Sequence, residues 1–142
     1  MSFQKFTLPL GLLAGLGGLY LLLSYVLTPR VPKDMLDIIV PELSQKAEIG
    51  HQVFQKNCAA CHGVNAGGTE QGPPLIHDIY NPGHHGDQAF YRAVRRGVRA
   101  HHWPFGDMPP QSQVSNAEVA DILAFIREAQ VANGITAKPH KM

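Results

Sequence analysis

The sequence predicts an all-α chain: one N-terminal transmembrane helix, then a domain of three main helices and long loops. Three observations predict it. A run of twenty residues without a charge, Leu8 to Leu27, stands near the N-terminus. Apolar residues recur at helical spacing in three later stretches, and none of these alternates at the strand period. The segments between them are rich in Gly, Pro, Asn and His, a composition that fits no regular element.

The uncharged run comes first. At about 1.5 Å per residue it reaches roughly 30 Å, the thickness of a bilayer's hydrocarbon core. Pro9 falls in the first turn, where a missing N–H does no harm. Tyr25 stands near the far end, where an aromatic ring suits the membrane interface. A cleaved signal peptide has an apolar region of only about 7–15 residues, and no small-residue cleavage site follows this run. An uncleaved signal anchor over residues 1–28 is therefore expected. Gly11 and Gly15 form a GxxxG, and Ala14 and Gly18 repeat its spacing. Such a face lets transmembrane helices pack closely, although glycine is also common in such helices for no special reason. Residues 29–43, with Pro29, Pro32 and Pro41, read as a spacer with a turn of helix at Asp34 to Val40. The domain then occupies residues 44–134, and residues 135–142 form a frayed tail.

Within the domain, Pro41 to Asn57 reads as a helix whose apolar face holds Ala47, Gly50, Val53 and Phe54. Glycine in mid-helix costs about 1 kcal/mol against alanine, so Gly50 implies the close approach of another helix. Asp87 to Val98 is the second helix, with Phe90, Val94, Gly97 and Val98 on one face. Arg92, Arg95, Arg96 and Arg99 share the other. They make a solvated face, a docking patch for an acidic partner, or contacts to carboxylates of a bound group. Ser115 to Val131 is the third helix. Ser115 and Glu118 make a capping box, Val119, Ile122, Leu123 and Ile126 follow at helical spacing, and Asn133-Gly134 supplies the stop. A hundred-odd residues with this much loop build a thin core. A bound apolar group is expected to supply the missing surface.

The motif Cys58-Ala59-Ala60-Cys61-His62 says which group. Two cysteines three apart, followed at once by histidine, form a c-type haem attachment site. Cys58 and Cys61 are then the haem thioethers, and His62 takes one axial position on the iron. Half a zinc site, a thioredoxin-like pair and a short disulfide are the competing readings. Zinc needs further ligands at finger spacing, and the chain has no other cysteine. A redox pair sits at the end of a strand, and no strand pattern is present.

An electron carrier fills both axial positions, and a soft thioether raises the potential. Among the four methionines, Met1 starts the chain, Met142 ends it and Met35 precedes the core. Met108, in a Pro-flanked loop, is the candidate sixth ligand. Its competitors are the pairs His84-His85 and His101-His102, which read as bis-His haem ligands, copper ligands or surface histidines. His51, His77 and His140 have weaker claims. Trp103 and Phe105 are candidate haem-pocket residues, with the Trp103 indole suited to a propionate. For Trp103 and Phe105, as for Tyr80 and Tyr91, an electron relay is the competing reading to pocket packing.

Taken in order, these features resemble the class I, single-haem c-type cytochromes of bacteria, over roughly Ala47 to Ala132. The residues that carry the resemblance are Gly50 and Phe54 before CAACHG, then Gly72-Pro73-Pro74-Leu75, then Gly106-Asp107-Met108-Pro109, and last a C-terminal helix with Phe125. The resemblance implies the cytochrome c fold, one covalent haem c, and His62 and Met108 as axial ligands. It implies that the Pro73 carbonyl accepts from His62, although the second proline, Pro74, departs from the family pattern. It implies a close crossing of the first and last helices at Gly50 and Phe125. Haem attachment in the family occurs outside the bacterial inner membrane, which implies a single-pass protein with its haem domain in the periplasm. Charge around the span, with Lys5 before it and Arg30 and Lys33 after it, does not favour that orientation.

The function implied is one-electron transfer, not an enzyme activity of its own. The partners implied are redox proteins at the membrane: a quinol-oxidising complex, an oxidase or a reductase. The glycine face of the anchor favours a fixed subunit of a respiratory or photosynthetic complex, and the proline spacer favours a tethered shuttle. A formal net charge of +1 gives no footprint for nucleic acid. Two readings from other classes compete: a haem enzyme or gas sensor with a labile Met108, and a copper-binding module built on the paired histidines.

Overall fold

The computed structural model describes residues 10–27 and 33–138. The chain divides into two units, Met1–Arg30 and Val31–Met142. In the first, α1 spans Leu10–Leu27 without a charged residue. Leu19, Leu21, Leu22, Leu23, Val26 and Leu27 are all exposed on it, and a Cβ added at Gly18 would meet nothing within 4 Å. Among the described residues no helix is long and apolar enough to cross a membrane. The span expected over Leu8 to Leu27 is therefore not established by the structure. Lys5, Leu8, Pro9, Pro29, Arg30 and Pro32 lie outside the described residues.

The second unit is helical: α2 (Gln45–Asn57), α3 (Ala59–His62), a 3-10 turn at Asp78–Tyr80, α4 (Asp87–Arg96) and α5 (Asn116–Ala132). No strand occurs among the described residues, only two isolated antiparallel bridges, Thr69 with Gly72 and Val98 with Met108.

The core is the crossing of α2 on α5. It rests on Gly50: a Cβ there would stand 1.9 Å from the Asp121 carbonyl oxygen. A hydrogen-only position lets the two backbones meet, as the residue type predicts. One turn along, Phe54 and Phe125 are fully buried with ring centroids 5.5 Å apart, and the His51 ring stacks on Phe125 at 4.3 Å. Val119, Ile122, Leu123 and Ile126 complete the buried face of α5. Its capping box forms as expected, with Glu118 N–H donating to Ser115 Oγ and Ser115 N–H donating to the Glu118 carboxylate at 2.8 Å.

Several boundaries differ from the sequence expectation. Helix α2 starts at Gln45 and not at Pro41, because Ser44 is its N-cap. The Ser44 hydroxyl and backbone N–H also donate to Glu128 at 2.6 and 2.9 Å, which ties this end to α5. Helix α4 stops at Arg96. Gly97 has a φ of +72°, a left-handed conformation that suits glycine, and Val98 leaves the helix to pair with Met108.

Asp34 to Val40 forms no helical turn. The Asp34 carboxylate instead accepts from the Asn65 and Gly67 N–H groups, and the Met35 and Leu36 N–H groups donate to Gly68 and Gly67. Asn133 bonds both backbone groups of Ile39. The expected spacer thus lies against the domain from Asp34 onward. The expected frayed tail is likewise held as far as Lys138. Ile135 is buried, the Lys138 N–H donates to Asn81 Oδ1, and its ammonium pairs with Asp78 at 2.8 Å.

Candidate functional site

A cleft of about 550 Å³ opens in this domain, within the size range of cofactor sites. Among the residues that line it are six of the seven the sequence assigned to a haem site: Cys58, His62, Pro73, Trp103, Phe105 and Met108. Cys61, the seventh, is exposed and does not line it. Residues the sequence did not assign complete the wall, including Leu75, Val94, Val98 and Ile122.

The cysteine motif is positioned by a break between two helices. Cys58 caps α2 through its N–H to Phe54 O at 2.7 Å, and its φ of −121° ends that helix. The single turn α3 then carries Cys61 and His62, closed by His62 N–H to Cys58 O at 2.9 Å. Thr69 Oγ1 donates to the Cys61 carbonyl at 2.6 Å and holds the turn against the following loop. Both thiols are free. Burial, with the neighbouring Cys61 adding to it, pushes the Cys58 thiol up to about 12. Redox CxxC pairs need a depressed thiol, so this environment opposes the thioredoxin-like reading.

The His62 ring is oriented by one bond. Its Nδ1 lies 2.8 Å from the Pro73 carbonyl oxygen. A carbonyl only accepts, so Nδ1 carries the proton and Nε2 keeps its lone pair. Burial holds the His62 pKa below the usual histidine value, and the Pro73 bond opposes that in part. A neutral imidazole with a carbonyl behind it is the form that ligates a metal. The acceptor is the first of the two prolines, the one the resemblance implies.

The loop bearing Met108 is pinned at its backbone. Met108 and Val98 exchange two N–H···O bonds of 2.9 Å. The Gln111 N–H donates to Val94 O at 2.7 Å, and Ala100 N–H donates to Asp107 Oδ1 at 2.8 Å. The thioether is half-buried in the cleft wall. On the same wall, the Trp103 indole N–H is buried without a hydrogen bond of normal geometry. Tyr80 lies near enough to favour its own ionised form, yet burial dominates and raises the Tyr80 pKa. A buried donor without an acceptor signals a group that belongs there. A haem carboxylate is such an acceptor, so an apolar cleft with the Cys58 thiol in its wall, Cys61 three residues on, one neutral imidazole and one orphan donor fits a covalent haem.

Four histidines cluster together, and three of them, His85, His101 and His102, line the cleft. His84 and His102 face each other with their Nε2 atoms 3.4 Å apart, and the His101 and His102 rings lie 4.2 Å apart. The His85 ring centroid is 5.3 Å from that of His102. Sequence reading paired these histidines only with their neighbours, since the two pairs are far apart along the chain. It also missed Arg127, which fixes this region from α5. Its guanidinium donates to the Tyr80 and His85 carbonyls at 2.9 and 2.8 Å, pairs with Asp87 at 2.9 Å and lies over the Phe90 ring.

The family model for cytochrome c matches residues 47–130. Among solved structures, the chain is similar to cytochrome cL from the marine methylotrophic bacterium Methylophaga aminisulfidivorans, with 21% identity over 80% of this chain and 97% of the other, and a TM-score of 0.46. No curated protein matches the chain.

Proposed function

Because this chain belongs to the cytochrome c family, and is a class I c-type cytochrome with covalent haem c acting in electron transfer, we propose that its haem is held by Cys58 and Cys61 as thioethers and by His62 and Met108 as axial ligands. Bound haem supplies an iron that cycles between ferric and ferrous forms, and the protein residues set where and how easily it does so. The observation that carries the reading is the 2.8 Å bond from His62 Nδ1 to Pro73 O, which leaves Nε2 directed to act as ligand, in a cleft that Met108 also lines. His62 supplies a neutral nitrogen, Met108 a soft sulfur, and the apolar wall of Leu75, Val94, Val98 and Phe105 excludes water. The Trp103 N–H offers a hydrogen bond to a propionate.

The test is the Met108→His variant. The reduction potential falls by a sizeable share of the roughly 0.8 V that axial ligands span, while haem remains attached on a denaturing gel. A variant with unchanged potential and spectrum would show that Met108 is not a ligand. Cys58→Ala with Cys61→Ala is expected to lose covalent haem altogether.

The anchor is part of the same reading. Helix α1 is uncharged and bears exposed leucines, which supports insertion of the N-terminal segment in the bacterial inner membrane, and haem attachment outside that membrane, as in the family, supports a haem domain in the periplasm. The carrier then works with membrane redox partners, a quinol-oxidising complex on one side and an oxidase or reductase on the other. Resistance to alkaline carbonate extraction tests the anchor, and release into the supernatant would refute it.

A further inference from the structure

We propose that His84, His85 and His102 form a second metal site, separate from the haem iron, that binds one divalent transition metal ion through three imidazole nitrogens. One ligand atom from each of the three lies within 4.8 Å of the others. Imidazole suits zinc, copper and nickel, and no carboxylate joins the group, so calcium and magnesium are excluded as occupants.

The His84 and His102 pair suits tetrahedral zinc. Two nitrogens at about 2.0–2.1 Å from a tetrahedral zinc stand roughly 3.3 Å apart. The Nε2 atoms of His84 and His102 are 3.4 Å apart. Square-planar geometry would need roughly 2.9 Å at the same bond length, a tighter pair than this one. Those two nitrogens lie within hydrogen-bond distance of each other, and a bound metal ion would replace that contact. The His85 nitrogen lies within 4.8 Å of the other two, so its ring moves toward the pair when the ion binds, and water fills the fourth position.

The backbone around the third ligand is already fixed. The His85 Nδ1–H donates to the Ile79 carbonyl at 2.7 Å, which leaves Nε2 as the ligating atom. This is the outer bond that metal-bound histidines need. Arg127 holds the His85 carbonyl at 2.8 Å, and the His84 and His85 N–H groups both donate to Asn81 O. His101 Nδ1–H donates to Arg99 O at 2.8 Å in the same manner. Burial first, then the repulsion of neighbouring imidazoles, lowers the pKa of both His85 and His102, which favours the neutral form a metal needs. The site joins two chain segments, residues 84–85 and 102, so a bound ion cross-links them.

Titration of the haem-loaded protein with zinc sulfate, followed by calorimetry, tests this. The expected result is one equivalent of zinc, with affinity at least about tenfold weaker in His102→Gln and lost in the His84→Gln/His102→Gln double variant. The visible spectrum of the haem reports that both variants are folded. Zinc is also expected to raise the Tm of the wild type, reversibly with chelator, and to leave that of the double variant unchanged. Absence of a one-to-one uptake, or equal uptake by the double variant, would overturn the site. A haem spectrum that changes its axial signature in His102→Gln would assign His102 to the haem iron and would also overturn the site.

Discussion

His62 has its role prepared before any iron arrives. Its tautomer follows from a single carbonyl, because Pro73 O can only accept. Cys58 differs: burial, with Cys61 beside it, pushes its thiol up to about 12, which keeps it in the protonated form. Phe125 makes the other contribution at this scale. It is fully buried between Phe54 and His51. Phe125→Ala is expected to lose about 3–5 kcal/mol, read as a lowered denaturant midpoint, while the haem spectrum survives at low temperature.

At the scale of elements, the α2–α5 crossing holds the fold. Gly50→Ala drives a Cβ into the Asp121 carbonyl, and because backbone faces backbone the helices must separate. A loss of at least about 1–3 kcal/mol is expected, measured by thermal unfolding. An unchanged Tm would mean that the helices do not meet there. The cap of α5 makes a smaller contribution: Ser115→Ala is expected to cost about 1 kcal/mol. Hydrogen bonds from Ser115 hold the Glu118 carboxyl below its ordinary value near 4.5. As pH falls, the unfolded chain takes up that proton first, so the stabilisation is present above that value and is lost as pH falls through the folded pKa. The Tm gap between wild type and Ser115→Ala is therefore expected to narrow in acid.

Elements were legible in the sequence where the signal is local. The capping box at Ser115 and Glu118, the glycine in mid-helix at Gly50 and the CxxCH spacing each declare themselves within a few residues. Long-range partners were not legible. Asp34 resembled the start of a helical turn, yet its carboxylate caps the amides of Asn65 and Gly67. Ile135 to Lys138 resembled a free tail, yet Asn81 and Asp78 hold it. Val98 continues the apolar face of α4 by spacing, but the left-handed Gly97 turns it toward Met108. No periodicity reveals such pairings, because both partners must first be brought together by the α2–α5 core.

For the whole molecule, the domain is thin without its cofactor. The cleft of about 550 Å³ is lined by apolar side chains from α2, α4, α5 and the loops between them, so the haem contributes core as well as chemistry. Removal of attachment in the double cysteine variant is expected to lower stability as well as redox activity, seen as loss of cooperative unfolding. The central claim is that His62 and Met108 close both axial positions and make this protein a carrier. Carbon monoxide binding to the reduced protein at neutral pH tests that claim most directly. The account predicts no spectral change for the wild type and prompt binding for Met108→Ala. Prompt binding by the wild type would contradict it, and would mark an open iron of the kind that enzymes and gas sensors use.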